Sequence, residues 1–149
     1  MSSSGEYEPS TWDWVAEQVA EYEGSGGTRA NTLRDTGLPI IVMTTVGVKS
    51  GKIRKVPLMR VEHEGEYALV ASKGGAPAHP GWYHNLLADN KVTMQDGAEP
   101  FQTKARLVGG DERTAWWDRA VAAFPPYAEY EVAAGDREIP LFVTTAIKP

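Results

Sequence analysis

Pro39-Ile40-Ile41-Val42-Met43-Thr44-Thr45-Val46-Gly47-Val48-Lys49-Ser50-Gly51-Lys52-Ile53-Arg54-Lys55-Val56-Pro57-Leu58 is an apolar run that breaks at a glycine-punctuated basic loop and then resumes. Pro39 to Thr45 is short, apolar and rich in β-branched residues, which suits a buried strand, and Arg54 to Val61 reads as a second. Two strands joined by one short loop pair antiparallel. Lys49, Lys52, Arg54 and Lys55 crowd into that loop and strand start although the chain carries a formal net charge of -5. With Gly47 and Gly51 freeing backbone N–H groups and Ser50 adding a hydroxyl, the loop is suited to an anion. It is equally readable as the solvated tip of a hairpin.

Working outward, Tyr67 to Ala71 is a third strand after a turn at Glu64-Gly65. Lys91 to Gln95 and Phe101 to Val108 form a hairpin around Asp96-Gly97, and Leu141 to Ala146 is the last strand. Six strands joined mostly by turns predict an α+β chain whose antiparallel sheet curls into a barrel. Short helices are expected over Pro80 to Ala88, over Asp111 to Ala123 with acids at its positive end, and around Tyr127 and Tyr130 after Pro125-Pro126. Met1 to Pro9 reads as a mobile tail. Ser10-Thr11 offers an N-cap, with Asp13 in a capping box, for an amphipathic helix bearing Trp12, Val15, Val19 and Tyr22 on one face. Gly24-Ser25-Gly26-Gly27-Thr28 ends that helix as a linker. The expected division is a tail and helix over 1–27 and a barrel over 28–149.

The chain has 149 residues, 42% of them apolar and 23% charged, as in an ordinary globular domain. Asp and Glu outnumber Lys and Arg by 20 to 15, which excludes a general nucleic-acid binder. No cysteine is present, so disulfides and thiolate metal sites are excluded. His79 and His84 are spaced five apart without a neighbouring carboxylate, so no metal site is expected. The start of the chain lacks a signal peptide's basic and apolar regions and no run is long enough to span a bilayer, so the expected location is the cytoplasm, without stable membrane insertion. The exposed Trp12 and Val15 allow a homodimer.

Three further groups could carry chemistry. Ala71-Ser72-Lys73-Gly74-Gly75 is a second candidate anion nest or a plain turn. Pro80-Gly81-Trp82-Tyr83-His84-Asn85 could line an aromatic pocket or pack in the core. Tyr127 and Tyr130 stand one helical turn apart, where a phenol could position or protonate a reacting oxygen, or simply pack. No nucleophile elbow or paired-carboxylate signature accompanies them, which disfavours a hydrolase.

Taken together, Gly47-x-Lys49-Ser50-Gly51-x-x-Arg54-x-x-Pro57-Leu58, Ala71 to Gly75, Pro80-x-Trp82-Tyr83-x-Asn85-Leu86, Tyr127-x-x-Tyr130 and Arg137-x-Ile139-Pro140 resemble the deazaflavin-dependent nitroreductase family of actinobacteria. The resemblance runs from about Gly26 to Val143. It implies a split β-barrel, related to the flavin-mononucleotide-binding barrels, that holds coenzyme F-420, a deazaflavin with a phosphate and an acidic tail. By the same resemblance Lys49, Ser50, Arg54 and Lys73 hold the phosphate and tail, with Lys55 and Val56 beside them. Pro57, Ala71, Ser72, Gly74, Gly75, Pro80, Trp82, Tyr83 and Asn85 line the ring and its linker.

The implied reaction is hydride transfer to an electron-poor small molecule such as a quinone, enone or nitro compound. Tyr127 would meet that acceptor, assisted by Ser72 and Tyr130. A carrier of the coenzyme, or a binder of another phosphorylated flavin-like ligand, is the alternative. Phe124 stands where a nitro-drug-activating member carries Tyr, and the Val132-Ala133-Ala134-Gly135 segment is small where that member has a bulky aromatic residue.

Overall fold

The computed structural model describes residues 6–33 and 36–147, so most of the expected Met1 to Pro9 tail, residues 1–5, lies outside the described residues. The strands are β1 (Ile40–Val46), β2 (Ile53–Met59), β3 (Glu62–His63), β4 (Glu66–Val70), β5 (Lys91–Gln95), β6 (Pro100–Leu107) and β7 (Leu141–Ala146). Among the described residues they form one sheet in the order β2-β1-β5-β6-β7-β4-β3, with every pairing antiparallel. The sheet curls into a half-barrel whose edge strands are β2 and β3. The expected α+β antiparallel architecture is the one observed.

The two-residue β3 is the strand missing from the expected six. Glu62 and His63 are too few to show an alternating pattern, and they pair with Tyr67 and Glu66 across the Glu64-Gly65 turn. Pro57 lies inside β2 opposite Val42. A proline, which has no N–H to donate, is tolerated there because β2 is an edge strand.

Both faces of the sheet are apolar. On one face Ile41, Met43, Leu69, Val92, Met94 and Phe142 pack with Trp82 and Leu86 of helix α2 (Gly81–Ala88), which plugs the curl. On the other, Val42, Val70, Leu141 and Val143 meet Trp116 and Ala120 of α3 (Gly110–Ala123), Tyr127 of α4 (Pro126–Ala133) and Val19 and Tyr22 of α1 (Asp13–Gly24). The strand alternation thus serves two cores, since successive side chains point to opposite faces.

Helix α1 begins at Asp13 with extended Trp12 as its N-cap and no side-chain cap bond, so the expected Ser10–Asp13 capping box does not form. Ser10 Oγ instead accepts the N–H of Trp12 at 3.1 Å. Only Val19 and Tyr22 of the expected apolar face are buried, while Trp12 is 64% exposed. The Tyr22 hydroxyl accepts from Gly97 N–H at 2.8 Å and donates to Gln95 O at 3.2 Å, tying α1 to the β5–β6 turn. Beside it Gly27 (φ 78) lies so close to Gly97 that a Cβ would stand 2.7 Å from that residue's backbone. The glycine segment after α1 is therefore a packed turn rather than a free linker. No helix among the described residues is long and apolar enough to cross a membrane.

Candidate functional site

The β1–β2 connection folds into a tight turn in which Gly51 N–H donates to Gly47 O at 2.9 Å and Gly47 N–H to Lys52 O at 2.7 Å. Gly51 takes φ 69, and a Cβ on Gly47 would come within 2.8 Å of Ser50 Oγ. That turn is pinned to α2 by Asn85, whose Oδ1 accepts from Val48 N–H at 3.0 Å and whose Nδ2 donates to Thr45 Oγ1 at 3.4 Å. Ser50 Oγ accepts the N–H of Lys52 at 3.1 Å. The N–H groups of Lys49 and Ser50 have no partner among the described residues. Lys49 and Ser50 line a cleft of about 550 Å³ together with Arg54, Val56, Trp82, Asn85 and Glu8.

A second cleft of about 650 Å³ shares Trp82 with the first as a lining residue. Its floor is Pro57, Leu58 and Met59 of β2 with Val70, and one wall is Ser72, Lys73, Gly74, Ala76 and Pro80. The rest of the lining is mainly aromatic: Phe124, Tyr127 and Tyr130, with Trp12 and Trp14. Phe124 and Tyr127 meet edge to face at 4.9 Å, and Tyr127 and Tyr130 at 6.1 Å. Burial, and secondarily the neighbouring Tyr130, push the Tyr127 phenol well above the ordinary tyrosine range. The hydroxyls of Ser72, Tyr127 and Tyr130 make no hydrogen bond among the described residues, which leaves them for a molecule in the cleft.

The Ser72 wall has an irregular backbone. Lys73 (φ 48), Gly74 (φ 65) and Gly75 (φ 82) are successively left-handed, a conformation that disfavours the non-glycine Lys73. Gly75 packs on α4, where a Cβ would meet Tyr130 O and Ala133 Cβ, each at 2.8 Å.

Most of the expected site residues converge on these two clefts: Lys49, Ser50, Arg54, Val56 and Asn85 in the first, Pro57, Ser72, Lys73, Gly74, Pro80, Tyr127 and Tyr130 in the second, and Trp82 in both. Four do not line them. Lys55 projects from the face of β2 opposite Arg54 and Val56, as strand alternation requires, and its Nζ pairs with Glu23 of α1 at 2.8 Å. Ala71 is fully buried and contributes its carbonyl to Arg137. Gly75 supports α4, and Tyr83 stacks against His79 at 4.3 Å behind the wall. Trp12, Trp14, Leu33, Leu58 and Glu8 were not expected there. Each reaches the clefts by long-range packing, for which no local motif exists.

An open antiparallel half-barrel with an anion-suited turn at its edge strand and an aromatic cleft beside it places the chain among the split β-barrel proteins. The model of the F-420H(2)-dependent quinone reductase family matches residues 14–146, and the chain belongs to that family. An F-420H(2)-dependent quinone reductase of Mycobacterium tuberculosis is 35% identical over 89 residues, 60% of this chain and 59% of that protein. The match thus spans less than two thirds of the curated relative's length. A solved F-420-H2-dependent reductase is 54% identical, with a TM-score of 0.68 over 72% of this chain and 94% of that one. A solved domain-swapped dimer is 49% identical, with a TM-score of 0.70 over 89% and 98% of the two chains.

Proposed function

We propose that this chain is a cytoplasmic coenzyme F-420-dependent reductase that acts on quinones and related electron-poor small molecules, enones and nitro compounds among them. The observation that carries the reading is that Trp82 lines both clefts, one with cationic residues and one mainly aromatic and apolar. A ligand with an acidic tail and a flat ring has the complementary shape and charge. The unpartnered N–H groups of Lys49 and Ser50, with the charges of Lys49 and Arg54, fit the phosphate and tail. The locally positive turn in an acidic protein attracts such a polyanion selectively.

The coenzyme, when bound, would supply the hydride chemistry, and the chain would hold and orient it. Trp82, Pro57 and the Ser72–Gly74 backbone, which line the aromatic cleft, would hold the ring. Phe124, Trp12 and Trp14 keep water from the acceptor's side. The Tyr127 phenol, its pKa raised by burial, donates a hydrogen bond to the acceptor oxygen as negative charge develops there. Ser72 and Tyr130 offer further hydroxyls at the same face.

On this reading the 28–149 unit carries the coenzyme site, and Trp12 and Trp14 from the 1–27 unit reach its rim. The 49%-identical solved structure described as a domain-swapped dimer supports a homodimer. The test is stopped-flow oxidation of reduced coenzyme bound to the protein, against a panel of quinones, enones and nitroaromatics. Acceptor-dependent oxidation is expected with quinones. Tight binding with no oxidation by any acceptor would overturn the reductase and leave a coenzyme carrier.

A further inference from the structure

The wall formed by Ser72, Lys73, Gly74 and Ala76 is held by a side chain 65 residues away in sequence. Locally it has only the bonds from Gly75 N–H to Ser72 O at 3.0 Å and from Ala76 N–H to Lys73 O at 3.1 Å. Two short bonds do not account for three consecutive left-handed residues, one of them a lysine. Backbone in such a region persists where surrounding structure over-determines it.

Arg137 supplies that determination. Its Nε donates to Ala76 O at 2.9 Å, its Nη1 to Ala71 O at 3.2 Å and its Nη2 to Ser72 O at 2.6 Å, so one guanidinium spans the whole segment. The rigid planar fork suits this triple contact, which a lysine cannot reproduce. Arg137 is itself anchored to the end of α4 by its N–H, which donates to Ala134 O at 3.1 Å. The clamp therefore joins the Ser72 wall to the helix carrying Tyr127 and Tyr130.

The fourth contact is Nη1 to His79 Nδ1 at 2.8 Å. Arginine only donates, so Nδ1 is the acceptor and the ring is neutral with its proton on Nε2. The groups facing His79 are Arg137, the Tyr83 ring at 4.3 Å and the His84 ring at 6.5 Å. Burial first, then Arg137 and His84, hold its pKa below the ordinary histidine value. The clamp is complete while His79 is neutral and is weakened as pH falls below the ordinary value of about 6.5.

We propose that Arg137 is the positioning residue for the Ser72–Gly74 wall of the coenzyme cleft, and that His79 completes its clamp only when neutral, so that protonating His79 loosens the wall. The affinity readout rests on the coenzyme F-420 reading above, whereas the exchange readout does not. Two measurements are made on the full-length protein: coenzyme affinity by deazaflavin fluorescence, and hydrogen–deuterium exchange of the Gly75 and Ala76 amides without coenzyme.

Arg137→Lys is expected to weaken coenzyme binding about tenfold or more near neutral pH and to speed exchange at both amides. His79→Gln keeps a neutral acceptor. It should match the unsubstituted protein at about pH 7.5 and lose less affinity than it by about pH 5.5. Unchanged exchange in Arg137→Lys would overturn the clamp, and identical pH dependence in His79→Gln and the unsubstituted protein would overturn the role of His79. If the unsubstituted protein binds no coenzyme, the proposed function falls, and the exchange comparison alone decides the clamp.

Discussion

The Glu8 carboxylate stands 3.3 Å from the Arg54 guanidinium, so the cationic cleft already contains an acidic group of the chain's own. It is held there by pairing along the edge of β2, with Glu8 N–H donating to Ile53 O at 2.8 Å and Ile53 N–H to Glu6 O at 2.7 Å. An anionic ligand must compete with this carboxylate for Arg54. Glu8→Gln is expected to tighten coenzyme binding about two- to fivefold, the scale of an exposed ion pair, and the gain should shrink in high salt. Fluorescence titration at two salt concentrations checks both. Weaker binding by Glu8→Gln would show instead that Glu8 supports the ligand.

Arg54 and Lys55 are neighbours in sequence on opposite faces of β2, one at the cleft and one paired with Glu23. Lys49→Ala and Arg54→Ala should each lower coenzyme affinity about tenfold, the loss of one charge-assisted contact. Lys55→Ala should leave affinity unchanged. If all three substitutions weaken binding equally, a diffuse charge effect replaces the specific assignment.

Burial raises the pKa of the Tyr127 phenol above the ordinary tyrosine value, so it stays a hydrogen-bond donor well into the alkaline range. Tyr127→Phe removes a hydrogen-bond donor without emptying the aromatic wall, so turnover with a quinone should fall about tenfold to a thousandfold while coenzyme affinity stays within about twofold. The rate should show no alkaline loss attributable to Tyr127 up to the ordinary tyrosine value of about 10, because its pKa is raised. Unchanged turnover would remove the phenol from the reaction.

Gly75 touches α4 at distances no side chain accommodates and has φ 82. Gly75→Ala is expected to destabilise the fold by about 1–3 kcal/mol, combining left-handed strain with displacement of the Tyr130 backbone. Chemical denaturation measures the loss. A variant as stable as the parent would mean that α4 shifts freely, against its role as a fixed wall.

Much of the fold was legible because strand signals are local. The β-branched runs, the Glu64-Gly65 and Asp96-Gly97 turns and the acidic start of α3 each act within a few residues, and the strands and helices they predict fall within two residues of the observed ones. β3 escaped notice because two residues carry no periodicity. The capping box failed because Trp12 is extended and the helix starts only at Asp13, so Ser10 caps the wrong N–H. At the site, Lys49, Ser50, Ser72, Trp82 and Tyr127 stood out by residue type and spacing. Trp12, Trp14 and Glu8 did not, because their place at the clefts depends on how the N-terminal segment crosses the sheet edge.

The sequence by itself determined that the chain folds as an antiparallel sheet with short helices, and that a cationic glycine turn sits in an otherwise acidic protein. Composition, alternation and turn chemistry act over a few residues and need no partner. Only the tertiary structure decided which face of β2 each cation serves, that Trp82 lines both clefts, and that Arg137 holds the Ser72 wall in place. Those outcomes depend on contacts between residues tens of positions apart, and such contacts exist only once the sheet has curled and packed its helices.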